Sequence, residues 1–189
     1  MKQIIWSKTL LTAYRYFERI AKAVDNLVMK EALGSLNFKS SLLGVRSAEE
    51  VSNKILDYTE KKIALINAKL LIEKALYGID KKHAVILVKR YLQNKKVSII
   101  IRELGIPRRS FYRKLDNALK SFSCLLCRMG YDYKKFETMF LGQKWLMKIY
   151  SNFETSIVGE NEEFELDDCD SESIFLQNVY KGNRVSLFA

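Results

Sequence analysis

Proline occurs once in this chain, at Pro107, and glycine only 8 times in 189 residues. A β-rich fold needs many turns, and those two residues make most of them. Their scarcity predicts long, uninterrupted helices instead. No run of about 18 apolar residues exists, so no membrane span is expected. The opening stretch, MKQIIWSKTLLTAYRYFERIAKA, is broken by Lys8, Arg15, Glu18 and Arg19. It lacks the apolar core of a secretory signal, and a cytoplasmic location is expected.

Cysteine and histidine are sparse as well. Cys124, Cys127 and Cys169 are odd in number and do not suggest a secreted disulfide framework. Cys124 and Cys127 form a CxxC, but a structural zinc site needs four ligands. Cys169 and the single histidine, His83, stand in unrelated contexts, so no metal is expected. The CxxC pair falls inside a predicted helix and reads as small, buried or half-buried packing residues. His83 reads as a surface or packing residue. There is no Gly-rich phosphate loop, no HExxH and no GxSxG. The carboxylates cannot be assembled into an acid–base pair from spacing. No enzyme and no cofactor are expected.

Positive charge is what the chain has in excess, and it is unevenly spread. The net charge is +10. Residues 1–150 hold 30 Lys/Arg against 13 Asp/Glu, a net +17, and residues 151–189 hold 2 against 9, a net −7. A strongly basic body calls for a polyanionic partner, nucleic acid or an anionic membrane surface.

The periodicity predicts an all-α chain. Leu10, Tyr14, Phe17, Ala21, Val24 and Val28 form one apolar stripe of a helix over 7–33. A Ser-rich loop follows at 35–46. Ser47 with Glu50 fits a capping box, opening a helix to Tyr77 whose inner face is Val51, Ile55, Tyr58, Ile63, Ile66 and Leu70. Gly78 is expected to stop it in a left-handed conformation. Asp80 is expected to cap a helix over 81–93, and Gln93 to Lys96 read as a turn. A short helix over 98–104 should end at Gly105, and Pro107 suits the first turn of a helix running to Met129 and closed by Gly130. One or two aromatic-rich helices fit beyond it. The divisions expected are 1–78 (long helices), 79–130 (helix-turn-helix), 131–153 (short helices) and 154–189 (an acidic, disordered tail).

Function concentrates in VSIIIRELGIPRRSFYRKLDNALKSF, from Val97 to Phe122. A short helix, a turn through Gly105 and a helix begun at Pro107 make a helix-turn-helix pattern. Phe111 and Leu115 lie four apart and face inward together, so the polar residues between them point outward. Such a helix can enter the major groove with its N-terminal residues at the base edges. Its N-terminus adds backbone amides and positive dipole for phosphate. Candidates for base contact are Arg108, Arg109 and Arg113. Candidates for phosphate are Ser110, Lys114 and Arg102, with Lys95 and Lys96 beside them. Tyr112 can meet a sugar or a thymine methyl, or simply cover the helix pair. Asn117 completes the predicted DNA-binding set.

SIIIRELGIPRRSFYRKLDNALKSF resembles the helix-turn-helix of sigma-70 region 4-like transcriptional regulators, closest to the small Firmicute and phage regulators of the ArpU/RinA kind. The likeness rests on Leu104-Gly105, the linker Ile106-Pro107, the Arg- and Ser-rich start from Arg108 to Ser110, Tyr112-Arg113, Leu115 and Ala118-Leu119. It spans Asp80 to about Ser123. The resemblance implies promoter-type recognition of double-stranded DNA by the second helix, and contact with RNA polymerase through the long helices. The lengths of those helices also permit a homodimer. The competing reading is a helical interaction protein whose basic face binds RNA or an acidic protein. The acidic tail reads either as solvating chain or as a competitor for the basic helix.

Overall fold

The computed structural model describes residues 1–36, 47–140 and 142–156. From residue 37 the expected loop, and from residue 157 the expected acidic tail, lie outside the described residues. All regular structure among the described residues is helical, with no strand. The helices are α1 (Lys2–Leu36), α2 (Ala48–Gly78), α3 (Lys81–Leu87, widening into a π-turn over Val88–Leu92), α4 (Val97–Leu104), α5 (Arg108–Arg128), α6 (Tyr133–Phe140) and α7 (Lys144–Ser156).

Helix ends follow local chemistry. Ser47 Oγ accepts the Glu50 amide at 3.1 Å, half of the expected capping box. Asp80 Oδ1 accepts the Lys82 amide at 3.1 Å, and Asp132 Oδ1 accepts the Lys135 amide at 2.9 Å. After α5, Gly130 turns left-handed at φ 80°; its amide reaches the Cys127 carbonyl and the Tyr131 amide reaches Leu126, both at 2.9 Å. Those two bonds are a Schellman stop.

Gly78 does something other than stop α2 by left-handed geometry. It is the last residue of the helix and has no positive φ. A Cβ built on it would meet Leu125 Cδ2 at 2.7 Å, so the missing side chain is what admits α5. Helix α1 starts at Lys2, five residues before the expected Ser7, because Ile5 and Trp6 are buried core residues. Helix α7 extends to Ser156, beyond the expected division at 153.

The chain divides into two compact units. One comprises Met1–Tyr16 and the residues from Leu71 onward; the other is Phe17–Leu70. The boundaries therefore fall inside α1 and α2, whereas the sequence suggests divisions at helix ends.

In the first unit, Trp6 of α1 lies 5.8 Å from Phe136 and 6.2 Å from Phe140 on α6, and 4.7 Å from Tyr150 on α7, centroid to centroid. Trp6, Phe136 and Phe140 are fully buried. Burying each such ring contributes about 2 kcal/mol, and each ring pair adds up to about 1 kcal/mol. Gln3 Nε2 also donates to the Tyr131 carbonyl at 3.0 Å. Tyr14 Oη donates to Glu73 at 2.6 Å. Helix α3 packs on α5, where Ser121 Oγ lies 3.3 Å from His83 Nδ1. His83 is half-buried against that neighbour.

In the second unit, α1 and α2 run antiparallel. Asp25 pairs with Lys62 at 2.5 Å, and Glu18 with Lys69 at 3.2 Å. Phe17, Ile20, Val24 and Leu27 on α1 are buried, as are Tyr58, Leu65 and Ala68 on α2. The expected inner face of α2 is only partly right. Tyr58 is buried, but Ile63, Ile66 and Leu70 are exposed. The helix carries two apolar faces, and the expectation mixes residues of both.

Candidate nucleic-acid interface

Helix α4 is short and strongly two-sided. Val97 and Ile100 are buried, while Ser98, Ile99, Arg102 and Glu103 face outward. Gly105 ends it with φ 62° and ψ 33°, the left-handed region where a Cβ is unfavourable. Its amide and that of Ile106 both reach the Ile101 carbonyl. Three residues, Gly105, Ile106 and Pro107, then separate α4 from α5.

Pro107 is the N-cap of α5 rather than a residue of its first turn, with φ −62° and ψ 148°. Its carbonyl accepts the Phe111 amide at 3.0 Å. It has no side-chain acceptor, so the amides of the first turn of α5 stay open to an acceptor from outside. The fixed φ of proline defines the angle at which the chain enters the helix.

A small core holds the pair together. Ile86 of α3, Val97 and Ile100 of α4 and Phe111 of α5 are buried as one cluster, with Ile101, Leu104, Ile106 and Leu115 packed against it. Phe111 and Leu115 do face inward together. The intervening side chains Tyr112, Arg113 and Lys114 turn outward and are exposed, as are Arg108 and Arg109 before Phe111 and Asn117 one turn on. Ser110 is half-buried. Arg102, on the last turn of α4, is exposed as well. Arg108 Cζ lies 5.9 Å from the Tyr112 ring centroid, and that ring stands edge-on to Phe111 at 5.5 Å. Tyr112 thus links the basic surface to the core.

Carboxylates near this surface are already engaged. Glu103 accepts from Lys95 at 2.6 Å and also from Lys89. Those hydrogen bonds hold its carboxyl down at about 2. Asp116 pairs with Lys120 at 2.7 Å, one turn along α5. Among the described residues, no ion pair involves Arg102, Arg108, Arg109, Arg113 or Lys114. Lys95, expected from the sequence to grip phosphate, is paired with Glu103. Lys96 is exposed.

The π-turn after α3 makes this clamp. Gln93 donates to Val88 at 2.9 Å and Lys95 to the Lys89 carbonyl at 3.0 Å, wider spacings than an α-helix uses. The widened turn brings Lys89 and Lys95 to one carboxylate on α4. Sequence periodicity reads straight through such a turn, and nothing in the residue types marks it.

The CxxC pair sits elsewhere than expected. Cys124 and Cys127 are both exposed on α5, because its buried face passes through Phe122, Ser123 and Leu126. Desolvation raises the Cys127 thiol above its ordinary value, and negative charge at Cys124 and Asp132 adds to the shift. A raised thiol is a poor nucleophile at neutral pH. Among the described residues no group of three or more His, Cys, Asp or Glu could hold a metal ion, and no helix is long and apolar enough to cross a membrane. The chain matches no protein-family model, no curated protein and no solved structure.

Proposed function

We propose that α4 and α5 act as a helix-turn-helix that binds double-stranded DNA sequence-specifically and regulates transcription. The observation carrying this reading is the uncompensated charge of one helix start. Arg108, Arg109, Arg113 and Lys114 are exposed within two turns of the N-terminus of α5, while the nearby acids Glu103 and Asp116 are bound to lysines. A merely solvated helix end gains nothing from keeping arginines clear of carboxylates. A polyanion-binding helix needs it, since each engaged cation releases a counterion from the duplex.

In this reading α5 lies in the major groove. Arg108, Arg109 and Arg113 reach base edges, where a guanidinium can grip guanine through two hydrogen bonds. Ser110, Lys114 and Arg102 hold phosphate, and the open amides of the first turn add to them. Tyr112 and Asn117 lie on the same groove-facing surface. The resemblance to sigma region 4-like regulators of the ArpU/RinA kind supports promoter DNA as the target and RNA polymerase as a second partner.

A salt titration tests the charge argument. Affinity for a random-sequence duplex should fall steeply with salt. Replacing Arg102 and Lys114 together by alanine should lessen the log–log slope by about 2, about 1 for each phosphate that is no longer neutralised. An unchanged slope would place the polyanion-binding surface on another face.

A further inference from the structure

Helix α2 carries a second apolar face that nothing in the described chain covers. Opposite its buried residues lie Leu56, Ile63, Ile66 and Leu70, which are 58%, 51%, 41% and 55% exposed. Single exposed leucines mean little, because much of any folded surface is apolar. Four branched aliphatic residues along one line of one helix differ from that background. Leu56, Ile63 and Leu70 succeed one another at intervals of seven, with Ile66 between two of them. Tyr77, 92% exposed, continues the interval. A seven-residue repeat is the spacing of a seam between two helices.

The polar rim of that seam is self-complementary. Glu60, Asn67 and Lys74 follow the same interval along one side of the stripe, and all three are exposed. Among the described residues, no ion pair involves Glu60 or Lys74. The lysines on the other side, Lys62 and Lys69, are committed to Asp25 and Glu18. Let a second copy of α2 run antiparallel about a two-fold axis at Asn67. Glu60 of each copy then meets Lys74 of the other, the two Asn67 amides meet at the axis, and Leu70 packs between Ile63 and Ile66 of the other copy. The pattern acid, amide, base is what such an axis requires, since it turns the rim onto itself with opposite signs together.

We infer that the outer face of α2 is a homodimer seam of antiparallel helices, closed by two Glu60–Lys74 pairs. The seam stands whether or not the arginines of α5 read DNA, and its test uses no nucleic acid.

The test is sedimentation of the full 189-residue chain with Cys124, Cys127 and Cys169 replaced by serine. A dimer is expected at ~10 µM, the range of a modest helical interface. Ile63→Asp or Leu70→Asp should give a monomer with unchanged helical circular dichroism, because both side chains are exposed. Glu60→Lys and Lys74→Glu should each weaken the dimer by about tenfold, and the double exchange should restore it. Asn67→Cys should cross-link with its own counterpart on oxidation. A wild-type chain that stays monomeric to ~100 µM overturns the inference. So does a dimer indifferent to Ile63→Asp, or charge reversals that fail to compensate.

Discussion

Lys95 Nζ donates to Glu103 Oε1 at 2.6 Å, while Lys89 binds the other oxygen of the same carboxylate. Two lysines beside the last turn of α4 are thereby paired within the chain. The clamp sharpens the basic surface to α5 and the last turn of α4. Glu103→Gln should release both lysines. Affinity for nonspecific duplex should rise, and the salt slope should steepen by about 1 to 2. Gel-shift or anisotropy titrations over a salt series would measure it, and an unaltered slope would mean the lysines do not reach phosphate once freed.

The same carboxylate sets a pH dependence. Its folded value is held at about 2, below the ordinary 4.5 of a glutamate, chiefly by hydrogen bonds from Lys89 and Lys95. A depressed carboxyl stabilises the fold above its unfolded value and loses that contribution as the pH falls towards its folded value. Stability should therefore decline between about pH 4.5 and about pH 2, and Glu103→Gln should flatten part of that decline. Urea unfolding at a series of acidic pH values reads both curves. Parallel curves for the two proteins would mean that Glu103 does not contribute to the acid sensitivity of the fold.

Gly105 sits at φ 62°, and a Cβ there would meet nothing within 4 Å. The cost of Gly105→Ala is then purely backbone, about 1 kcal/mol. Thermal or urea unfolding should show that destabilisation, with the charge of the α5 surface unaltered. A neutral substitution would mean that the turn does not need its left-handed residue.

Phe111 is fully buried at the centre of the small core beneath the arginines. Phe111→Ala should cost about 3 to 5 kcal/mol and loosen α5 against α4. Specific binding should fail before nonspecific binding, since orientation serves base recognition more than phosphate binding. Trp6→Ala should be destabilising to a similar degree while sparing sequence discrimination at temperatures where both proteins remain folded, because Trp6 packs on Phe136, Phe140 and Tyr150 rather than under α5.

Local signals carry most of the helix boundaries. Ser47, Asp80, Gly105 and Gly130 each end or begin a helix by chemistry confined to a few residues, and each is readable from the chain. The outward turn of Arg108, Arg109 and Arg113 is legible too, because Phe111 and Leu115 fix the inward face of α5. What lies beyond reach involves partners distant in sequence. Gly78 is small because of Leu125, and Lys95 is occupied because a π-turn carries it to Glu103. Leu65 and Ile66 are equally apolar neighbours. Only the position of α1 makes one core and the other surface, so periodicity alone merges the two faces of α2. Cys124 and Cys127 escape the sequence reading for a related reason: a cysteine fits either side of a helix, and its own residue type does not decide.

Arg109→Ala separates base reading from phosphate gripping. Removing a two-bond grip on guanine should cost about 1 to 3 kcal/mol on the preferred site and less on random duplex. Equal weakening on both would reassign Arg109 to phosphate.

The most direct measurement is a selection from random duplex DNA by the full 189-residue chain, followed by affinities for the enriched site and a scrambled one at matched salt. A specific regulator should prefer the enriched site by about a thousandfold or more. Equal binding to both duplexes, with one common salt slope, would contradict sequence-specific recognition and leave the arginines of α5 as a general polyanion surface.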